Sequence, residues 1–272
     1  MSIILANIKT LLKSPRTFLV LMPYVTLIAT FGAFVIWNGS VVLGDKSNHV
    51  ATIHTPQMLY IWPYILFFSW PLILPRIISA LTGHFFRLAP VRALWSQISH
   101  TPPDGSLPRF LLVAVFTVLA LASIHYNTVI HPFTLADNRH YVFYVFKLLR
   151  GHWAIKYLLA PIYVYSGWAA IRTLGSARDA LVIQPLGNAG TGFVIVWLGT
   201  TALSVVSAPL VEPRYFIMPW IMWRLHVSSA ESAMVWLELV WHGVVNVVVG
   251  ERFLRHGFEW PQEPGKVQRF MW

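Results

Sequence analysis

Apolar residues fall in long blocks along this chain, and the polar residues are concentrated between them. Stretches long and apolar enough to cross a hydrocarbon layer lie near 17–38, 58–81, 109–130, 152–174, 190–211 and 232–250, since about 20 helical residues span a bilayer core. These six stretches predict six transmembrane helices. A shorter block, "PRYFIMPWIMWRLH" at 213–226, has 14 residues interrupted by Pro219, which suits a half-helix, a re-entrant turn or a continuation of its neighbour. Pro63, Pro71 and Pro75 should bend the second helix, because each removes a backbone donor and crowds the preceding turn. No internal repeat or low-complexity linker divides the sequence. The expectation is an all-α polytopic membrane protein, one transmembrane domain over 1–272, with six or seven helices.

Composition supports the class. The 272 residues are 56% hydrophobic and 11% charged with a mean hydropathy of +0.60, far from the balance of water-soluble domains. Thirteen Trp and ten Tyr suit the headgroup boundary, where amphipathic rings are favoured. The net charge of +10 is scattered between apolar blocks, which excludes the dense basic stripe of a nucleic-acid binder. The absence of Cys removes disulfides and thiolate metal sites. Lys9, Lys13 and Arg16 precede a block too long for a signal-peptide core, so it is expected to be retained as the first helix.

Lys and Arg also orient the chain. Lys9, Lys13 and Arg16, then Arg76, Arg87 and Arg92 around the loop 82–108, then Arg172 and Arg178 place three segments in the cytosol. The loops near 39–57, 131–151 and 207–215 then share the opposite face, despite Lys147 and Arg150 in the second. Arg252, Arg255, Lys266 and Arg269 favour a cytosolic C-terminal tail, which requires that 213–226 make no full crossing of its own. The stretch "GHFFRLAPVRALWSQIS" is expected to lie amphipathically along the cytosolic membrane surface. "NGS" at Asn38 matches a glycosylation acceptor but sits too near a helix end to be modified.

Three polar motifs therefore meet on one face: "GDKSNHVATIHTPQMLY", "HPFTLADNRHYVFYVF" and "VEPRYFIMPWIMWRLH". With the terminal "EPGKVQRFMW", they closely resemble the α-1,2-glucosyltransferase family of the endoplasmic reticulum, which adds the terminal glucose to the dolichol-linked N-glycan precursor. The resemblance keeps its order over nearly the whole chain. It implies a membrane glycosyltransferase of the C type with no cofactor. The donor would be dolichyl phosphate glucose, the acceptor a diglucosylated dolichyl-diphosphate oligosaccharide, and the active site would face the lumen. Family members are longer and begin with further helices and an early lumenal loop whose acidic residues are thought to hold the base, so this chain is expected to correspond to the C-terminal part. The rival readings are a catalytically silent binding or regulatory protein derived from the family and an anion transporter. A transporter would more naturally show symmetry-related halves.

Inverting transfer from a lipid phosphate needs a base at the acceptor hydroxyl and positive donors at the departing phosphate. Lys46, Arg139 and Arg214 offer one cation in each loop; the alternative for the arginines is pairing with Asp137 and Glu212. His49, His54, His131 and His140 are candidates for sugar or phosphate hydrogen bonds. A metal set is not expected, because His49 and His54 stand five apart. Gln57 and Asn138 can bind sugar hydroxyls or satisfy local backbone, and Tyr141 and Tyr215 complete the substrate-binding set. Asp45, Asp137 and Glu212 are weak candidates for the base, with structural ion pairing as their default role. On the last helix, Glu231, Glu238, His242 and Asn246 follow a spacing of seven, four and four, which places them on one face; contact between helices is the favoured role.

Overall fold

The computed structural model describes residues 15–41, 43, 52–85, 110–174, 191–208, 210–227 and 232–271. Asp45, Lys46, His49, Glu231, the N-terminal Lys9 and Lys13, Arg178 and most of the loop 82–108, with its amphipathic stretch, lie outside the described residues. The chain divides into two compact units, Met1–Val50 and Ala51–Trp272.

The first unit contributes α1 (Pro15–Asn38), 24 residues or about 36 Å of helix, enough to cross a bilayer. Gly39 ends it with a positive φ of 70°, and its N–H returns to the Val35 carbonyl at 2.8 Å. A glycine accepts that left-handed turn without strain.

In the second unit, α2 (Gln57–Phe85), α3 (Phe110–Asn127), α7 (Ala160–Leu174), α8 (Thr191–Val205), α9 (Ile217–His226) and α10 (Ser232–Arg255) carry most of the packing, and the short α4 (Pro132–Ala136), α5 (Tyr141–Gly151) and α6 (Ile155–Leu158) lie between α3 and α7. The main core gathers Ile61, Ile65, Ile73, Leu174, Val205 and Trp223, all essentially inaccessible. Small residues let α7 come close to α2: a Cβ on Gly167 would stand 3.1 Å from the Trp62 ring. Indole N–H groups join further helices, Trp223 to the Ala170 carbonyl and Trp197 to the Pro219 carbonyl, both at 3.0 Å. Such bonds suit a bundle whose outer faces are apolar, because a buried donor left without a partner is costly.

Among the described residues, four helices are long and apolar enough to cross a membrane: Leu19–Asn38, Gln57–Ile78, Phe110–Asn127 and Ser232–Arg255. The apolar blocks at 152–174 and 190–211 form shorter helices than expected. His152 accepts the Ala154 N–H at 3.2 Å and diverts the first residues into a turn. After Val205, the chain leaves the helix so that the Ser207 and Val206 carbonyls can accept the Thr52 and His54 N–H groups at 3.2 and 2.8 Å. Apolar composition counted these residues as helix; the structure uses them as a turn that leaves the helix.

The 213–226 block resolves into a 3-10 turn, Pro213–Phe216, continued by α9. Together they run about 23 Å away from the loop at Glu212, and α10 returns. Its C-terminal end then delivers a feature that the sequence did not predict, a hairpin of β1 (Phe258–Trp260) and β2 (Glu263–Gln268) pairing Phe258 with Gln268 and Glu259 with Val267. Beyond it, Met271 bridges His140 in the second motif loop. The tail therefore sits at the motif end of the bundle and not opposite it, because α9 carries the chain away before α10 brings it back. Arg252, Arg255, Lys266 and Arg269 move with it, so the tail cations oppose the orientation read from the other three segments.

Candidate functional site

The site begins at a defect in α2. Ser69 leaves helical geometry (φ −125°, ψ 27°) two residues before Pro71. Proline has no N–H to give the Phe67 carbonyl one turn back, and the kink exposes the Phe68 carbonyl as well. Helix α10 supplies the donors: Trp241 Nε1 reaches the Phe67 oxygen at 2.7 Å, and His242 Nε2 reaches the Phe68 oxygen at 2.8 Å. Alongside, Trp220 Nε1 donates to Ser69 Oγ at 3.1 Å, Ser69 Oγ donates to Glu238 Oε1 at 2.7 Å, and Arg224 Nε donates to Glu238 Oε2 at 2.8 Å. Glu238 is buried and fully engaged. Interhelical contact, the favoured reading for this face of α10, is what Glu238 and His242 provide.

Above the kink, a cavity of about 950 Å³ opens between α2, the second and third motif loops, and α10. Tyr64, Phe68, Val245 and Val249 give it an apolar wall, while Asp137, His140, Glu212 and Arg214 stand among its lining residues. Four sequence-distant segments thus contribute to one concave surface.

The second motif loop is held by its own side chains. Arg139 grips Asp137 through Nε to Oδ1 at 2.9 Å and a terminal nitrogen to Oδ2 at 2.6 Å, while its backbone N–H also meets Oδ1 at 2.9 Å. The Arg139 guanidinium beside Asp137 holds that carboxyl below the usual carboxylate range, against the opposing effect of burial. His140 Nε2 lies 3.6 Å from the same carboxylate. His131 caps α4, accepting the Phe133 N–H at 3.3 Å.

The hairpin completes this loop. Trp260 Nε1 donates to Asn138 Oδ1 at 2.6 Å, and its ring lies 4.8 Å beneath the Arg139 guanidinium. The Met271 N–H meets the Arg139 carbonyl at 2.7 Å, and the Tyr141 N–H meets the Met271 carbonyl at 3.3 Å. Phe270 stacks on Tyr141 and packs against Phe258. Arg269 closes α10 by donating to the Phe253 and Leu254 carbonyls, a cation satisfying the free carbonyls of a helix end.

In the third loop, Arg214 pairs with Glu212 through Nε, and its guanidinium lies 5.9 Å from the Tyr215 ring. Arg214 keeps 71% of its side chain exposed, against 32% for Arg139. The pairing alternative raised for both arginines is therefore the arrangement found. Gln57 and His54 are completely buried instead of facing the cavity. Gln57 Nε2 serves the Ala208 and Leu210 carbonyls at 2.6 and 3.1 Å, while the His54 ring meets Tyr60 edge-on. They fix the third loop against the start of α2.

Of the expected residues, Asp137, His140, Glu212 and Arg214 line the cavity, with Arg139 immediately behind Asp137. Asn138, Tyr141 and His131 shape the loop, and Tyr215 packs against the core. The sequence reading missed Trp220 and Trp260. A tryptophan next to Pro219 and another next to Pro261 were the available signals, but neither names a partner until the chain is folded.

Apolar helices with a charged cavity at one end define a multi-pass helical membrane protein. The chain belongs to the DIE2/ALG10 family, whose family model matches residues 1–225. It is 38% identical, over 93% of this chain and 55% of the relative, to an Emericella nidulans protein named Dol-P-Glc:Glc(2)Man(9)GlcNAc(2)-PP-Dol alpha-1,2-glucosyltransferase. Proteins of that name from Mus musculus and Homo sapiens are each 34% identical, over 94% and 92% of this chain and 47% and 46% of theirs. The chain spans about half the length of these relatives. No solved structure matches it. The membership expected from the loop motifs is thus shown, while α10 and the hairpin lie beyond the residues that the family model matches.

Proposed function

We propose that the chain works in the transfer of the terminal α-1,2-linked glucose from dolichyl phosphate glucose to the diglucosylated dolichyl-diphosphate oligosaccharide. The proposed setting is the endoplasmic reticulum membrane, with the motif end facing the lumen. The relatives' names supply the substrates, and the family resemblance supplies the side. The carrying observation is the cavity's division into an apolar wall of Tyr64, Phe68, Val245 and Val249 and a charged rim holding Arg214. A polyprenyl phosphate sugar needs both surfaces at once.

In the transfer, the acceptor hydroxyl attacks the anomeric carbon, the bond from that carbon to the phosphate oxygen breaks, and dolichyl phosphate leaves with the electron pair. The hydroxyl proton passes to a base. Arg214, largely exposed at the rim, is suited to the phosphate, because a guanidinium can keep one carboxylate contact and present its remaining N–H groups to phosphate oxygens. Asp137 is suited to holding Arg139 and not to taking a proton, since the same contact lowers its affinity for one. The test uses the protein in membranes devoid of endogenous transferase. Arg214→Ala should raise the KM for dolichyl phosphate glucose at least tenfold, with unchanged protein abundance. An unaltered donor KM, or no transfer by the unmodified protein, refutes the reading.

A further inference from the structure

Two polar side chains interrupt the apolar α10 wall of the cavity, His242 and Asn246. They stand one helical turn apart on the same face. The chemistry of His242 is fixed by its anchor. The Phe68 carbonyl can only accept, so the 2.8 Å contact requires the proton on Nε2. In the neutral ring, Nδ1 is then a bare acceptor. Trp220 and Phe68 pack around the imidazole at 5.7 and 6.1 Å between ring centroids and limit its rotation. Asn246, with a carboxamide that donates and accepts, lies about 6 Å further toward the rim along α10. The wall is therefore largely apolar and marked by one imidazole nitrogen turned from its anchor and one two-way group.

A phosphate finds no cation there, and an isoprenoid gains nothing from either group. A hexose matches both features, because its ring presents hydroxyls at its edge and C–H groups at its face. We infer that His242 and Asn246 form a hexose subsite, in which Nδ1 of His242 accepts from one hydroxyl and Asn246 exchanges hydrogen bonds with another, while Trp220 and Phe68 cover the sugar's apolar face. The inference rests on the proposed transfer for the choice of a sugar ligand. Glucose can arrive there on the donor lipid or at the end of the acceptor oligosaccharide; the site chemistry is the same.

Equilibrium binding to the full chain in lipid nanodiscs tests this without requiring catalysis. The probes are dolichyl phosphate glucose, dolichyl phosphate and a soluble oligosaccharide ending in glucose. The unmodified protein should bind dolichyl phosphate glucose more tightly than dolichyl phosphate if the donor's sugar fills the site, and bind the oligosaccharide measurably if the acceptor's does. Asn246→Leu, close to isosteric, should weaken whichever sugar-dependent binding is found about tenfold and leave dolichyl phosphate binding unchanged. His242→Gln retains an N–H for the Phe68 carbonyl but displaces the acceptor, and should do the same. Equal loss for dolichyl phosphate and its glucosylated form, or no sugar-dependent binding by the unmodified protein, overturns the subsite. Sugar-dependent binding without transfer would overturn only the proposed activity.

Discussion

The rim loops and the α2 kink both join arginines to carboxylates, and the two kinds of pair do different work. At the rim, Arg214 and Arg139 hold acidic residues two positions away in sequence and remain 71% and 32% exposed. At the kink, Arg224 reaches Glu238 from another helix, and Glu238 also receives Ser69. A local pair in contact with solvent shapes a loop at little energetic consequence. A buried pair that bridges three helices is different, since removal of either partner strands a charge. Polar density along the chain therefore points to the rim, while structural dependence lies among isolated polar residues in apolar helices.

The sharpest break in that contrast is Glu238→Leu. Arg224 would lose its counter-charge and Ser69 its acceptor, at a cost of about 3 kcal/mol, and unfolding in detergent should shift accordingly. Combining it with Arg224→Met should recover most of the loss, because well-packed apolar residues often replace a buried pair without penalty. Arg214→Ala at the rim should cost under about 0.5 kcal/mol in the same measurement. Equal losses from the two single substitutions would erase the distinction.

The sequence made this division partly legible. The apolar blocks revealed the helices; Pro71, one of the three prolines expected to bend α2, stands at the observed kink; and the second and third polar motifs marked loops that meet at the cavity. The length of α8 was not visible, because Val206 and Ala208 are as apolar in a turn and loop as in a helix. Nor was the place of the tail, which depended on whether α9 carries the chain to the far end; a block of 14 residues is compatible with either course. The hairpin was hidden for a related reason: Pro261 at its turn and Gly265, at φ 81° within the irregular part of β2, are readable, but its partner is a loop more than a hundred residues earlier. The Trp260 contact with Asn138 and Arg139 joins positions that no periodicity relates.

That contact makes the next test. Trp260→Leu removes the indole hydrogen bond and the aromatic surface under Arg139, each worth about 1 kcal/mol. Global unfolding should move little, but amide exchange at residues 138–141 should accelerate several-fold. Trp260→Phe retains the ring and should lie between. Exchange in this loop unchanged from the unmodified protein would show that Asp137 and Arg139 hold it without the hairpin.

The smallest expected effect concerns acidity, and its direction follows from the same loop. Asp137 has a folded pKa below its ordinary value near 3.9, so the unfolded chain takes up a proton at a higher pH than the folded one. Stabilisation by the Asp137–Arg139 pair is then complete at neutral pH and starts to fade as pH nears the unfolded value. It is lost as pH falls through the folded one. Trp260 fluorescence, followed against an otherwise identical Asp137→Asn protein, should show no difference in pH response between pH 7 and 5. The unmodified protein alone should change below about pH 4. A transition centred above pH 5 and abolished by Asp137→Asn would mean that Asp137 is held in an environment that favours its proton, which would restore it as a candidate base and weaken the assignment of Arg139 as its fixed partner.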